Sequence, residues 1–232
     1  MHTGDIADDG EQAAYTAVRA VTDEVLDRTG WPVLWCAGNH DVRAPLREHL
    51  LGERPDEGPL DRVLEVGGLR LVALDSSIPG RVEGGLDAEQ LDWLREVLST
   101  PAEHGTVLAL HHPPLPVEVT AMARLRLTGQ QALAAVVRGT DVRAVLAGHL
   151  HYATSSVFEG VPVHVAPSLA YTIRPTRPGG GVIAVDGGRG AGIVSLYDDG
   201  RVGWTALPTD PVPVLQSTPE AAFTGMGVDV EH

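Results

Sequence analysis

Apolar and polar positions divide the 232-residue chain into two regimes. Up to Ala147, helical stripes alternate with short apolar runs; beyond it the runs follow one another directly. Glu11 to Arg28 sets Ala14, Val18, Val21 and Val25 on one helical stripe. The acidic residues at its front suit a helix N-terminus, and Thr29-Gly30 ends it. Trp31 to Ala37 reads as a strand, Ala44 to Leu51 as a short helix and Gly52 to Gly58 as a loop. Arg62 to Val66 and Leu69 to Leu74 form a hairpin through Gly67-Gly68, after which Asp75 to Gly80 leaves as a loop. Asp87 and Gln90 make a capping pair for a helix through Leu98, with Leu91, Leu94 and Leu98 inward. A strand over Thr106 to Leu110, a helix near Gln130 to Val137 and a strand over Val142 to Ala147 complete this half.

Thr154 to Phe158, Val161 to Val165, Gly181 to Val185, Ile193 to Tyr197 and Val202 to Leu207 read as short antiparallel strands of a second sheet. Turn signals stand at Glu159-Gly160 and Asp198-Asp199-Gly200. Arg174 to Gly180 and Asp186 to Gly192 read as surface loops. The pattern predicts an α/β chain with one domain over 1–207 and an extended or disordered tail over 208–232.

Composition narrows the classes. A hydrophobic share of 43% supports a full core. All 17 basic residues are arginine, and the formal charge is −14. That balance disfavours nucleic acid and anionic membranes as partners. The single Cys36 excludes an internal disulfide and reads as a buried core thiol, in keeping with a reducing, cytoplasmic setting. No apolar run approaches the length of a membrane span, and no basic-then-apolar signal segment is present.

The chemistry gathers where apolar runs end. Gly38-Asn39-His40-Asp41 follows Val33 to Ala37, His111-His112-Pro113-Pro114 follows Thr106 to Leu110, and Gly148-His149-Leu150-His151 follows Val142 to Ala147. Gly4-Asp5-Ile6-Ala7-Asp8 stands at the start. In open α/β sheets such strand tips carry the site. An extended backbone would put His149 and His151 on one side with Leu150 opposite.

This ordered set resembles the calcineurin-like metallophosphoesterases, which build a dinuclear metal centre from such loops. The resemblance implies a four-layer αββα sandwich of two mixed β-sheets. It also implies that Asp5 bridges two metals, that Asn39, His111 and His149 complete one of them, and that Asp5 and His151 serve the other. The family carries an Asp-x-His motif on an earlier strand, for which this sequence has no residues, so the expectation is a domain lacking its first strand, with one metal held well. A mixed carboxylate, amide and imidazole set suits Mn or Fe, with Zn as a further candidate. By resemblance, His40 assists the departing alkoxide with Asp8 orienting it, Asn39 and His40 contact substrate, and His112 lines the phosphate pocket. Pro113-Pro114 fixes the direction of that loop. Asp41 reads as structural. His2, on an extended chain, would face away from Asp5 at roughly 10 Å. His49, His104, His164 and His232 have no motif context.

Further strings narrow the likeness. Ala14-Tyr15, Val42-Arg43, Leu60-Asp61-Arg62-Val63, Leu74-Asp75-Ser76-Ser77-Ile78-Pro79-Gly80 and Arg138-Gly139-Thr140-Asp141-Val142-Arg143, with the metal motifs, resemble bacterial class III cyclic nucleotide phosphodiesterases of the mycobacterial type. The resemblance implies hydrolysis of 3′,5′-cAMP and related cyclic nucleotides, including 2′,3′-cyclic ones, through a metal-activated hydroxide, in a homodimer. Two alternatives stay open: a weakly active or inactive single-metal phosphate-ester binding protein, and a general metallophosphatase or nuclease.

Overall fold

The computed structural model describes residues 1–116, 122–175 and 181–211. Its centre is a mixed sheet of β1 (Arg62–Val66), β2 (Leu69–Leu74), β3 (Thr106–Leu110), β4 (Val142–Ala147), β5 (Thr154–Phe158) and β6 (Val161–Val165), in the order β1-β2-β3-β4-β6-β5. β2, β3, β4 and β6 run parallel, while β1 and β5 close the edges antiparallel to their neighbours. Every residue of β3 is buried, as a strand covered on both faces requires.

One face of the sheet carries Val72, Leu74, Leu108, Leu110, Val145 and Ala147. They pack with Leu94 of α3 (Ala88–Val97) and with Leu133, Val136 and Val137 of α4 (Gln130–Val137). The Asp87–Gln90 capping box forms in both directions: the Asp87 carboxylate accepts from the Gln90 amide at 2.8 Å, and the Gln90 side chain accepts from the Asp87 amide at 3.1 Å. The opposite face joins Ala73 and Ala109 to Leu34 and the fully buried Cys36, whose thiol burial pushes up.

α1 (Gln12–Thr29) ends at Gly30, which takes φ 69° so that its N–H reaches the Leu26 carbonyl. Its first turn holds no acidic residue and Glu11 makes no side-chain cap; the acidic cluster lies ahead of the helix. The expected stripe is buried only near its start. Tyr15 is fully buried, with Ala14 and Val18 packed around Ala7, Ala37, Leu46, Leu50 and Leu60, while Val21 is 66% exposed. The cover is short because it comes from the π turn Leu46–Leu51, which follows the one-turn helix α2 (Arg43–Pro45), and from Leu60.

Trp31 to Ala37 differs from its expected ladder. Among the described residues it makes one parallel bridge, His2 to Trp35, with His2 N–H donating to Leu34 O and Cys36 N–H to His2 O. The later strands also regroup. β5 and β6 join the central sheet through β4 rather than opening a second one. β7 (Thr172–Pro175) with β8 (Val182–Val185), and β9 (Gly190–Leu196) with β10 (Val202–Pro208), form separate two-stranded sheets. The second half of β7 and the start of β9 fall in stretches expected to be loops. Backbone pairing such as Gly190 with Pro208 and Gly192 with Ala206 needs no apolar side chain, so the pattern did not announce it. Arg143 ties the second hairpin to the sheet by donating to the carbonyls of Tyr197 and Arg201. Of the tail expected from 208 onward, 212–232 lies outside the described residues.

Candidate metal centre

The carboxyl ends of β3 and β4, and of the extended run before Gly38, meet the Thr3–Asp8 segment at one place. From β3 comes His111. Its Nδ1–H donates to the Thr3 carbonyl at 2.7 Å, which leaves Nε2 pointing at three groups. These are Asp5 Oδ2 at 3.1 Å, Asn39 Oδ1 at 3.2 Å and His149 Nδ1 at 2.9 Å. Two glycines let the loops come this close. A Cβ on Gly38 would sit 2.1 Å from Asp5 Oδ1, and one on Gly4 2.6 Å from His111 Nδ1.

The backbone is bent to this end. Of the four non-glycine residues with positive φ among the described residues, three are Asp5 (55°), His149 (70°) and His151 (57°). Left-handed backbone disfavours an L side chain by about 1–2 kcal/mol per residue and collects at functional sites. His149-Leu150-His151 is therefore not the extended segment expected. Leu150 is buried in the core while both imidazoles line one cavity of about 670 Å³, with Asp5, His40 and His111. His151 Nδ1–H donates to the Tyr171 carbonyl at 3.1 Å, so its Nε2 is left unprotonated in the neutral ring.

His40 stands at the mouth, its Nδ1–H donated at 2.7 Å to the main-chain carbonyl of Asp8. The Asp8 carboxylate is farther, at 3.4 Å, and its side chain is 93% exposed. Of the Asp8 oxygens, the main-chain carbonyl is thus the one in hydrogen-bond contact with the ring. The His40 amide in turn donates to Asp5 Oδ1 at 3.0 Å. Asp41, behind the loops, accepts from the amides of Gly38, Ile6 and Ala7 and from the Tyr15 hydroxyl, which itself accepts from the Val42 amide.

His112 is fully buried, with its Nδ1 2.9 Å from Ser76 Oγ. With His111 and His149 it makes a group of three imidazoles whose ring nitrogens come within 4.8 Å of one another. Its ring packs 4.4 Å from that of His149 and so backs the site from within. The His2 ring lies 5.0 Å from that of Trp35, tilted against it, and borders the same cavity. His164, without motif context in the sequence, stacks parallel to Trp204 across the same cavity. The signals missed were Ser76 and Tyr15, both inside strings already singled out, and the carbonyls of Thr3 and Tyr171, which the residue alphabet does not display.

Electrostatics keeps the nitrogen lone pairs available. Burial, then the neighbouring His111, pushes His149 down to about 3. Burial also lowers His151 and takes His112 to about 2. Burial alone would raise Asp5, but the His111 ring and the His40 amide outweigh it and hold the carboxyl below the usual range. Asp41 is raised by burial, against the pull of the three amides it accepts from.

A divalent cation fits this donor set. A proton on His111 Nε2 could satisfy only one of the three acceptors facing it, whereas a cation is met by all of them. His149 Nε2, buried and without a well-formed hydrogen bond, is consistent with a ring held for its other nitrogen. The residues carry one carboxylate, one amide and two or three imidazoles, a set suited to first-row transition metals.

Comparison with known proteins gives the same direction. The family model for calcineurin-like phosphoesterases matches residues 1–153. A cAMP/cGMP dual specificity phosphodiesterase from Mycobacterium tuberculosis is 49% identical over 199 residues, covering 86% of this chain and 63% of that protein. A probable cyclic nucleotide phosphodiesterase from Rhodococcus erythropolis is 45% identical, covering 86% and 66%. A 3′,5′-cyclic adenosine monophosphate phosphodiesterase from Pseudomonas aeruginosa is 33% identical, covering 87% and 71%. The chain thus spans about two thirds of the length of these relatives.

Proposed function

The chain belongs to the calcineurin-like phosphoesterase family, and on that premise we propose that it hydrolyses cyclic nucleotides, 3′,5′-cAMP among them, as a metal-dependent phosphodiesterase. The observation that carries this reading is the convergence of Asp5 Oδ2, Asn39 Oδ1 and His149 Nδ1 on His111 Nε2 within 3.2 Å. The names of the relatives support the substrate class.

Asp5, Asn39, His111 and His149 would hold one divalent ion, Mn or Fe by donor chemistry, and Asp5 with His151 would supply the smaller donor set for a second. Such ions neutralise phosphate charge and make water a stronger nucleophile at neutral pH. The protein's own groups do the rest. The cavity, of about 670 Å³, has the volume of a small-molecule site. Asn39 and His40 border the phosphate position. His40, fixed through Nδ1–H, has Nε2 free, and in its imidazolium form this nitrogen hands its proton to the sugar oxygen as the P–O bond breaks and leaves the neutral ring behind, a contribution worth roughly a hundredfold or more. The formal charge of −14 favours a small substrate over a nucleic acid.

The test compares cAMP, a phosphomonoester and single-stranded DNA under equal Mn²⁺, with metal content read in parallel. Preferred turnover of cAMP supports the proposal, while faster cleavage of the monoester or of DNA overturns the substrate class. His149→Ala should strip the tightly held metal. Unchanged metal content in that variant would remove the ligand assignment.

A further inference from the structure

The two loops that carry Asp5 and Asn39 belong to segments about 35 residues apart in sequence, joined by the His2–Trp35 bridge and by the His40 amide on Asp5 Oδ1. Between these contacts lies a buried polar knot. Asp41 Oδ2 accepts from Gly38 N at 2.8 Å, and Oδ1 accepts from Ile6 N at 3.0 Å and Ala7 N at 3.1 Å. One carboxylate therefore grips the residues directly after Asp5 and directly before Asn39. Tyr15, from the first turn of α1, completes the knot. Its hydroxyl donates to Asp41 Oδ1 at 3.1 Å and accepts from Val42 N at 2.9 Å, and its side chain is fully buried.

We propose that Tyr15 and Asp41 are positioning residues: a buried hydroxyl–carboxylate pair that locks the Asp5 loop to the Asn39 loop and so sets the affinity of the metal centre from outside it. Neither side chain joins the donors around His111, and Asp41 sits behind the cavity rather than on its wall. The lock acts on backbone direction. Asp5 has left-handed φ, and the amides of the next two residues are those that Asp41 takes. Releasing them lets the Asp5 backbone relax and turn its carboxylate away from His111. Tyr15 matters because it has two partners at once. With phenylalanine in its place, Asp41 loses a donor and the Val42 amide loses its acceptor. Groups that orient a metal's ligands in this way typically govern affinity by 10–100-fold.

The proposal rests on the metal reading above, and its test keeps the two apart. Wild type, Tyr15→Phe and Leu50→Val are titrated with Mn²⁺ alone, and amide exchange is followed in the metal-free proteins. Leu50 packs in the same apolar cluster as Tyr15 but bonds to neither loop through its side chain. Tyr15→Phe should weaken Mn²⁺ affinity by about 10–100-fold. It should also speed exchange at Ile6, Ala7 and Gly38 while leaving β3 protected. Leu50→Val should lower the melting temperature and leave affinity unchanged. Wild-type affinity in Tyr15→Phe, or an equal loss in Leu50→Val, overturns the lock while the metal reading stands. Failure of the wild type to bind Mn²⁺ overturns the metal reading and the affinity claim with it.

Discussion

At His40 the ring is held by a main-chain oxygen, the Asp8 carbonyl at 2.7 Å. The Asp8 side chain is exposed and 3.4 Å from the ring, where an ion pair contributes little. Asp8→Ala keeps the carbonyl, so turnover of a phosphodiester should fall by less than about fivefold, against roughly a hundredfold or more for His40→Ala. A comparable loss in both variants, measured as kcat/KM, would return the orienting role to the carboxylate. Asn39, His111 and His149 of the donor cluster were legible because each stands just after an apolar run, and Asp5 through its place in the ordered motif set. The contact of His112 with Ser76 was not, because the two lie 36 positions apart. The left-handed turns at His149 and His151 were also hidden, since local alternation describes only extended backbone.

Among the elements, those defined by local chemistry were read closely. The β1–β2 hairpin, α4 and the Asp87–Gln90 cap of α3 fall where turn residues and capping side chains predict them. Sheet membership was harder, because the pairing of β6 with β4 joins segments whose own patterns name no partner. α1 shows the same limit from the other side: its stripe extends to Val25, but the elements that cover it reach only its early turns. Val21→Glu should therefore change unfolding free energy by less than about 0.5 kcal/mol, as for other open surface positions. Leu46→Ala, beneath the same helix, should cost about 2–5 kcal/mol. Denaturant titration of the two variants checks the contrast; similar losses would mean that the outer stripe is covered in solution.

For the molecule as a whole, pH acts through carboxylates shifted in opposite directions. Burial raises Asp61 from 3.8 to about 6 in the fold, against the Asp75 amide and the Gln90 side chain that bond to it. The folded state thus binds its proton more tightly than the unfolded chain. The stabilisation is full below about pH 4 and is lost as pH rises through about 6, an effect on the order of 1–2 kcal/mol after allowance for partial exposure. Asp5, held low, contributes with the opposite sign: its share is present above pH 4 and disappears in stronger acid. Urea unfolding at pH 5 and 7.5 should show the wild type losing stability on the alkaline side and Asp61→Asn showing a flatter profile. A parallel decline in the variant would assign the slope to other groups.

Cys36 gives the chain a clock of its own. With one thiol, sealed in the middle of the fold and kept protonated, the chain offers a thiol-directed reagent no target until the interior opens. Iodoacetamide uptake followed by mass spectrometry should then proceed at the rate of global opening and level off at a single adduct per molecule. Added Mn²⁺ should slow it in proportion to how tightly the ion is held, so one unmodified cysteine reports both the endurance of the native state and the grip of its cation. Modification faster than unfolding followed by circular dichroism would place that sulfur at a local breathing site.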